Sequence, residues 1–139
     1  MALSVSAQVP SQSIRIGTEQ AISLAAKWIA DKQLGPARQI LVELEKAYLQ
    51  DPQVLFLRAQ LAFAQGDYRE AIAIFRGMLS RNPSRPRIRL ELARALFAAR
   101  DYEAARYHFE FALGQTLDEG VSEKVYAFLR AIRDSKKFL

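Results

Sequence analysis

The 139-residue sequence contains no cysteine. Disulfides, thiol catalysis and zinc sites built on sulfur are therefore excluded, while the redox state of the compartment is left open. Histidine is nearly as scarce. His108 stands alone, with Glu110 close by but no second ligand-type side chain three or four residues away, so it reads as a surface or packing histidine and no metal is expected. Long apolar runs are missing too, and no stretch approaches the ~20 apolar residues of a membrane-spanning helix. Glycines 66, 77, 114 and 120 stand singly, which writes no phosphate-binding loop. No arrangement of Ser, Thr and acidic residues suggests a nucleophile. An enzyme is disfavoured and no cofactor is implied.

What is present is ordinary in bulk and uneven in detail. Half of the residues are hydrophobic and a quarter charged, the balance of a soluble globular protein, and the length suits one domain. Five prolines and six glycines fall mainly between periodic segments and leave room for roughly seven helices. The net charge of +5 is concentrated: between Arg81 and Arg106 stand seven arginines against three acids, Glu91, Asp101 and Glu103. That segment invites a nucleic-acid reading, but its arginines spread round the helix and Glu91 interrupts them. A solvated face or an acidic protein partner explains them better, and no nucleic acid is expected as a partner.

The strongest pattern is a repeat. Gly66-Asp67-Tyr68-Arg69-Glu70-Ala71 to Phe75 is echoed 34 residues later, with Asp101, Tyr102, Ala105 and Phe109 standing where Asp67, Tyr68, Ala71 and Phe75 stand. Pro52 matches Pro86 and Ala59 matches Ala93 at the same interval. Tyr68, Ala71, Phe75 and Leu79 share one helical face. Asp67 with Glu70 reads as an N-cap and its reciprocal partner, Gly66 as the turn before it, and Asn82-Pro83 as the end of the unit. A hairpin of this kind cannot bury its apolar face alone. The period and these positions resemble the tetratricopeptide repeat, a helix–turn–helix unit.

Taken in order, residues 1–17 form a flexible segment. Val5-Ser6-Ala7 before Gln8 resembles a signal-peptide cleavage site, with a featureless tail as the alternative. Residues 18–51 read as a degenerate first repeat: a helix from Thr18 to Lys32, punctuation at Gly35-Pro36, then Ala37, Ile40, Leu41, Leu44 and Tyr48 on a second helix. This repeat lacks the Gly-Asp-Tyr turn. Residues 52–85 and 86–117 form the second and third repeats. Thr116 to Glu119 reads as a capping box that opens a closing helix over 118–134, with Val121, Val125, Phe128, Leu129 and Ile132 on its apolar stripe. Residues 135–139 look like a cut end. The expected fold is all-α, a superhelix of three hairpins and a capping helix.

The resemblance implies a concave surface lined by the first helix of each hairpin. On the second repeat it would present Gln53, Phe56, Gln60, Phe63 and Ala64, and on the third Arg87, Leu90, Arg94, Phe97 and Ala98. The first would contribute Glu19, Ile22, Ala26, Ile29 and Ala30. Aromatic anchors beside two arginines suit an extended chain with apolar and acidic side chains, although Phe56, Phe63 and Phe97 are also suited to packing on neighbouring helices. The carboxylate clamp of chaperone-tail-binding relatives is absent, since those positions read Phe56, Gln60 and Leu90 with only Arg94 basic.

Pro86 to Phe97, Asp101 to Glu110 and Val121 to Ile132 resemble something narrower, the periplasmic repeat domain of the surface lipoprotein assembly modulators, or Slam proteins. That resemblance implies a Gram-negative outer-membrane translocon with periplasmic repeats followed by a β-barrel, which is absent from this sequence. It implies a non-enzymatic domain that receives a secreted protein, a surface lipoprotein or its periplasmic chaperone, and that neighbours the barrel of its own full-length protein. The alternatives are a free-standing tetratricopeptide adaptor in envelope assembly or in the cytoplasm, and, more weakly, a basic nucleic-acid-binding helical domain.

Overall fold

A computed structural model describes residues 17–136. The signal-like Val5-Ser6-Ala7 and the apolar Phe138-Leu139 lie outside these residues. The described residues form seven helices and no strand: α1 (Thr18–Ala30), α2 (Leu34–Ala47), α3 (Pro52–Ala64), α4 (Tyr68–Arg81), α5 (Pro86–Ala98), α6 (Tyr102–Leu113) and α7 (Glu119–Ser135). They group into two compact units that divide at Gln65 and Gly66, between the two helices of the second repeat.

The N-terminal unit packs α1, α2 and α3 against one another. Its core is Ala25 and Ile29 from α1, Ala37, Leu41 and Leu44 from α2, and Val54, Leu57 and Leu61 from α3. Ala25, Ala37, Leu41 and Leu61 have no exposed surface at all. Two fully enclosed alanines on facing helices let the backbones approach closely, which is why the sequence keeps a small residue there. Asp51 caps α3 by accepting hydrogen bonds from the Gln53 and Val54 N–H groups at 2.8 and 3.3 Å, and Pro52 takes the first helical position, where no N–H is missed. Arg58 grips Glu45 through two hydrogen bonds of 2.8 and 2.7 Å, tying α3 to α2.

The C-terminal unit packs α4 on α5, α5 on α6 and α6 on α7. Ala71 and Phe75, and their counterparts Ala105 and Phe109, are buried as the repeat requires. Asp67 accepts from the Glu70 N–H at 3.1 Å and Asp101 from the Ala104 N–H at 3.4 Å, so both second helices start where their caps predict. The Asp67–Glu70 pairing is one-directional: the backbone bond forms, and no return bond from the Glu70 side chain is present. Phe128 of α7 stacks on Phe109 at 4.8 Å between centroids and meets the edge of Phe97 at 5.0 Å. Phe97 in turn meets Tyr102 at 5.3 Å. These four rings hold the closing helix to the repeat.

Two expectations about the helices are corrected. The closing helix is not opened by Thr116: Asp118 is its N-cap, without a side-chain capping bond. Tyr48 is not on α2 but follows it as the C-cap, 43% exposed, because the chain turns there towards Asp51-Pro52. The first hairpin makes its turn without a left-handed glycine, in keeping with its missing Gly-Asp-Tyr. Lys32 adopts φ 63°, as Gly66 adopts 85° and Arg100 adopts 67°, so one left-handed residue recurs every 34 positions. Around it the Gln33 N–H reaches the Trp28 carbonyl and the Asp101 N–H the Leu96 carbonyl, six-residue loops that satisfy the last helical carbonyls.

Candidate protein-binding faces

The predicted side chains fall on two faces, one in each unit. On α3, Val54, Leu57 and Leu61 turn into the core, which leaves Phe56, Gln60 and Phe63 half-buried along a second stripe at i, i+4 and i+7. Of the α1 residues expected beside them, Ile22 is half-buried and Glu19, Ala26 and Ala30 are exposed. Ile29 is not available: it is a core residue, packed with Leu41 and Leu57.

On α5, Leu90 and Phe97 are half-buried and Arg87 and Arg94 exposed. Phe97 sits within the aromatic group that holds α7, so its ring serves packing as well as any surface role. The two arginines are joined by a residue that the sequence presented only as an interruption. Glu91 lies between them, with Arg94 Nη1 at 2.8 Å and Arg87 Nε at 3.5 Å, and its side chain is only 15% exposed. The α5 face is thus an Arg–Glu–Arg ladder flanked by Leu90 and Phe97, with a net charge of one rather than two.

A second residue escaped the sequence reading. Arg89, counted in the basic segment, is buried. Its Nη1 donates to His108 Nδ1 at 3.0 Å and its Nη2 to the Pro83 carbonyl at 3.2 Å, while the guanidinium lies 3.8 Å from the centre of the Phe111 ring. An arginine stays protonated, so Nδ1 of His108 must accept and the imidazole is neutral with its proton on Nε2. Burial and the neighbouring Arg89 and Arg76 hold the His108 pKa below its ordinary value. The signal was available in the spacing, since Arg89, Ala93 and Leu96 follow i, i+4 and i+7 on the buried face. Segment-wide charge counting hid it.

Elsewhere charges pair on the surface. Glu103 accepts from Arg106 at 2.8 Å and meets Lys136 at 2.8 Å, and these cations lower its pKa to about 2. Arg106 also reaches Glu110. Among the described residues no group of three His, Asp or Glu side chains is placed to hold a metal, and no helix is long and apolar enough to cross a membrane.

Left-handed turns at a 34-residue interval, buried alanine–phenylalanine pairs and proline-started first helices define a tetratricopeptide-repeat domain. Solved structures agree. The type III secretion translocator chaperone SycD of Yersinia enterocolitica matches with a TM-score of 0.72 at 20% identity, over 86% of this chain and 85% of that one. SycD in complex with a peptide of the translocator YopD gives 0.70 at 20% identity, over 85% of this chain and 93% of that one. The Sgt2 repeat domain of Aspergillus fumigatus gives 0.69 at 19% identity, over 86% and 81%. Such domains are in general protein-interaction modules. The model of the surface lipoprotein assembly modifier N-terminal tetratricopeptide repeats matches residues 29–109, and the chain belongs to that family. Surface lipoprotein assembly modifier 1 of Neisseria meningitidis serogroup B (strain ATCC BAA-335 / MC58) is 30% identical over 107 residues, which are 76% of this chain and 22% of that protein. The chain therefore spans about a fifth of the length of this relative.

Proposed function

We propose that this chain is the non-enzymatic protein-binding domain of a Slam-type outer-membrane translocon. It receives a secreted protein or surface lipoprotein, or the chaperone that escorts it, in the periplasm before export to the cell surface. The observation that carries this reading is the family match over residues 29–109, joined to half-buried aromatic side chains on α3 and an arginine ladder on α5. Phe56 and Phe63 on α3 supply apolar anchors, Gln60 can pair with a backbone amide, and Arg87 and Arg94 on α5 receive acidic side chains. The barrel of the same full-length protein is the other partner.

The test is substrate export in cells whose full-length protein carries Phe63→Ala with Arg94→Glu. Protease shaving and flow cytometry should find the exported protein retained inside, while circular dichroism of the isolated variant shows unchanged helicity. Normal surface display by a folded variant would move the binding surface elsewhere.

A further inference from the structure

A third face, within the C-terminal unit and away from the predicted residues, has the character of a docking site. Arg69, Ile72, Ala73 and Arg76 of α4 line a shallow hollow of about 420 Å3 whose other wall includes Leu96 and Asp101. The floor is apolar and the two ends of the α4 wall are basic. Several cations of this unit are already engaged: Arg87 and Arg94 by Glu91, Arg106 by Glu103 and Glu110, Lys136 by Glu103, and Arg89 by its buried contacts. Arg69 and Arg76 are exposed and take part in no ion pair among the described residues. The one acid on the wall, Asp101, is occupied as the N-cap of α6. An apolar floor between two arginines that have no ion-pair partner among the described residues has the composition of an interface centre.

We propose that this side of α4 is a second docking surface, and that it takes an extended segment of a partner polypeptide bearing two acidic side chains three residues apart with apolar residues between them. The spacing follows from the helix. Arg69 and Arg76 are seven residues apart, about 10.5 Å along the axis. A polyproline-II segment repeats the same side every three residues, about 9.3 Å, so two carboxylates meet the two guanidinium groups while the intervening side chains cover Ile72 and Ala73. The surface is independent of the α3 and α5 faces.

A fluorescein-labelled synthetic peptide with a Glu-Pro-Leu-Glu core is titrated into the full chain by anisotropy, alongside its Gln-Pro-Leu-Gln counterpart and phosphatidylglycerol vesicles. The acidic peptide should bind, weaken with added salt, and lose about tenfold in affinity with Arg69→Glu and Arg76→Glu together. The pair Lys124→Glu and Arg130→Glu on α7 should leave it unchanged, which separates this surface from a general loss of positive charge. If the charge reversals disturb folding, Arg69→Gln with Arg76→Gln serves in their place. Absence of peptide binding, equal binding of the glutamine peptide, an equal loss of binding on the α7 variant, or binding to vesicles alone would overturn the proposal.

Discussion

Arg89 shows how one side chain can reverse the reading of a segment. It is charged and buried without a carboxylate, and a carbonyl, an imidazole nitrogen and an aromatic face share the compensation. The arrangement requires neutral His108, which makes it sensitive to acid. The folded-state pKa of His108 lies below its ordinary 6.5, so on acidification the unfolded chain takes up the proton first. Stability should be full above about pH 7 and fall as pH drops through 6.5 towards the lowered folded value. Urea midpoints at about pH 7.5 and about pH 5.5 measure this, and His108→Asn, which keeps an acceptor near the Nδ1 position, should flatten the difference. Glu103 acts at lower pH. Its folded pKa of about 2 lies below the ordinary 4.5, so its contribution is present above 4.5 and is lost as pH falls towards 2. The left-handed turn residues give a further test. A side chain at φ 67° carries backbone strain that glycine avoids, so Arg100→Gly should stabilise by roughly 0.5–1 kcal/mol and Gly66→Ala should destabilise by about 1 kcal/mol in chemical denaturation. A Cβ at Gly66 meets nothing within 4 Å, so that cost is conformational, not steric.

At the scale of the helix, the repeat was legible because each start and stop uses local chemistry. Asp67 and Asp101 cap their helices, Pro52 and Pro86 open theirs, and the alanine–phenylalanine spacing marks the buried face. The third repeat departs in one place: Arg85 stands where Asp51 caps α3, and it makes no side-chain cap. Arg85→Asp should therefore stabilise α5 by about 1 kcal/mol, read as a higher urea midpoint. Failure to stabilise would mean that the second Asp cap cannot form in this backbone. The closing helix starts within a residue of its expected position, but Thr116-Leu117-Asp118-Glu119 satisfies the capping-box pattern while Asp118, not Thr116, is the residue that takes extended φ and ψ. Its docking rests on Phe128 between Phe97 and Phe109. Phe128→Ala should cost about 2–3 kcal/mol and release amide protection across α7 before α4 and α5. Uniform loss of protection would show that α7 is not a separate layer of stability.

For the whole molecule, the fold was readable from periodicity and the binding faces only in outline. Periodicity separates buried from exposed stripes, which is why Phe56, Gln60 and Phe63 fall together on α3. It does not reveal which charges pair, and so it missed that Glu91 binds both Arg87 and Arg94, and that Phe97 is shared with the packing of α7. Nor does it say where side chains remain unengaged, as Arg69 and Arg76 do. In the proposed function the α3 and α5 faces receive the protein to be exported. Its most direct test is site-specific photo-crosslinking in living cells, with p-benzoylphenylalanine placed in the full-length protein at Phe63 or Arg94, and at Glu123 on α7 as the control. The account predicts adducts with an exported protein, or with its chaperone, from Phe63 and Arg94 and none from Glu123. Adducts absent from both faces while export proceeds, or equally strong from Glu123, would contradict it.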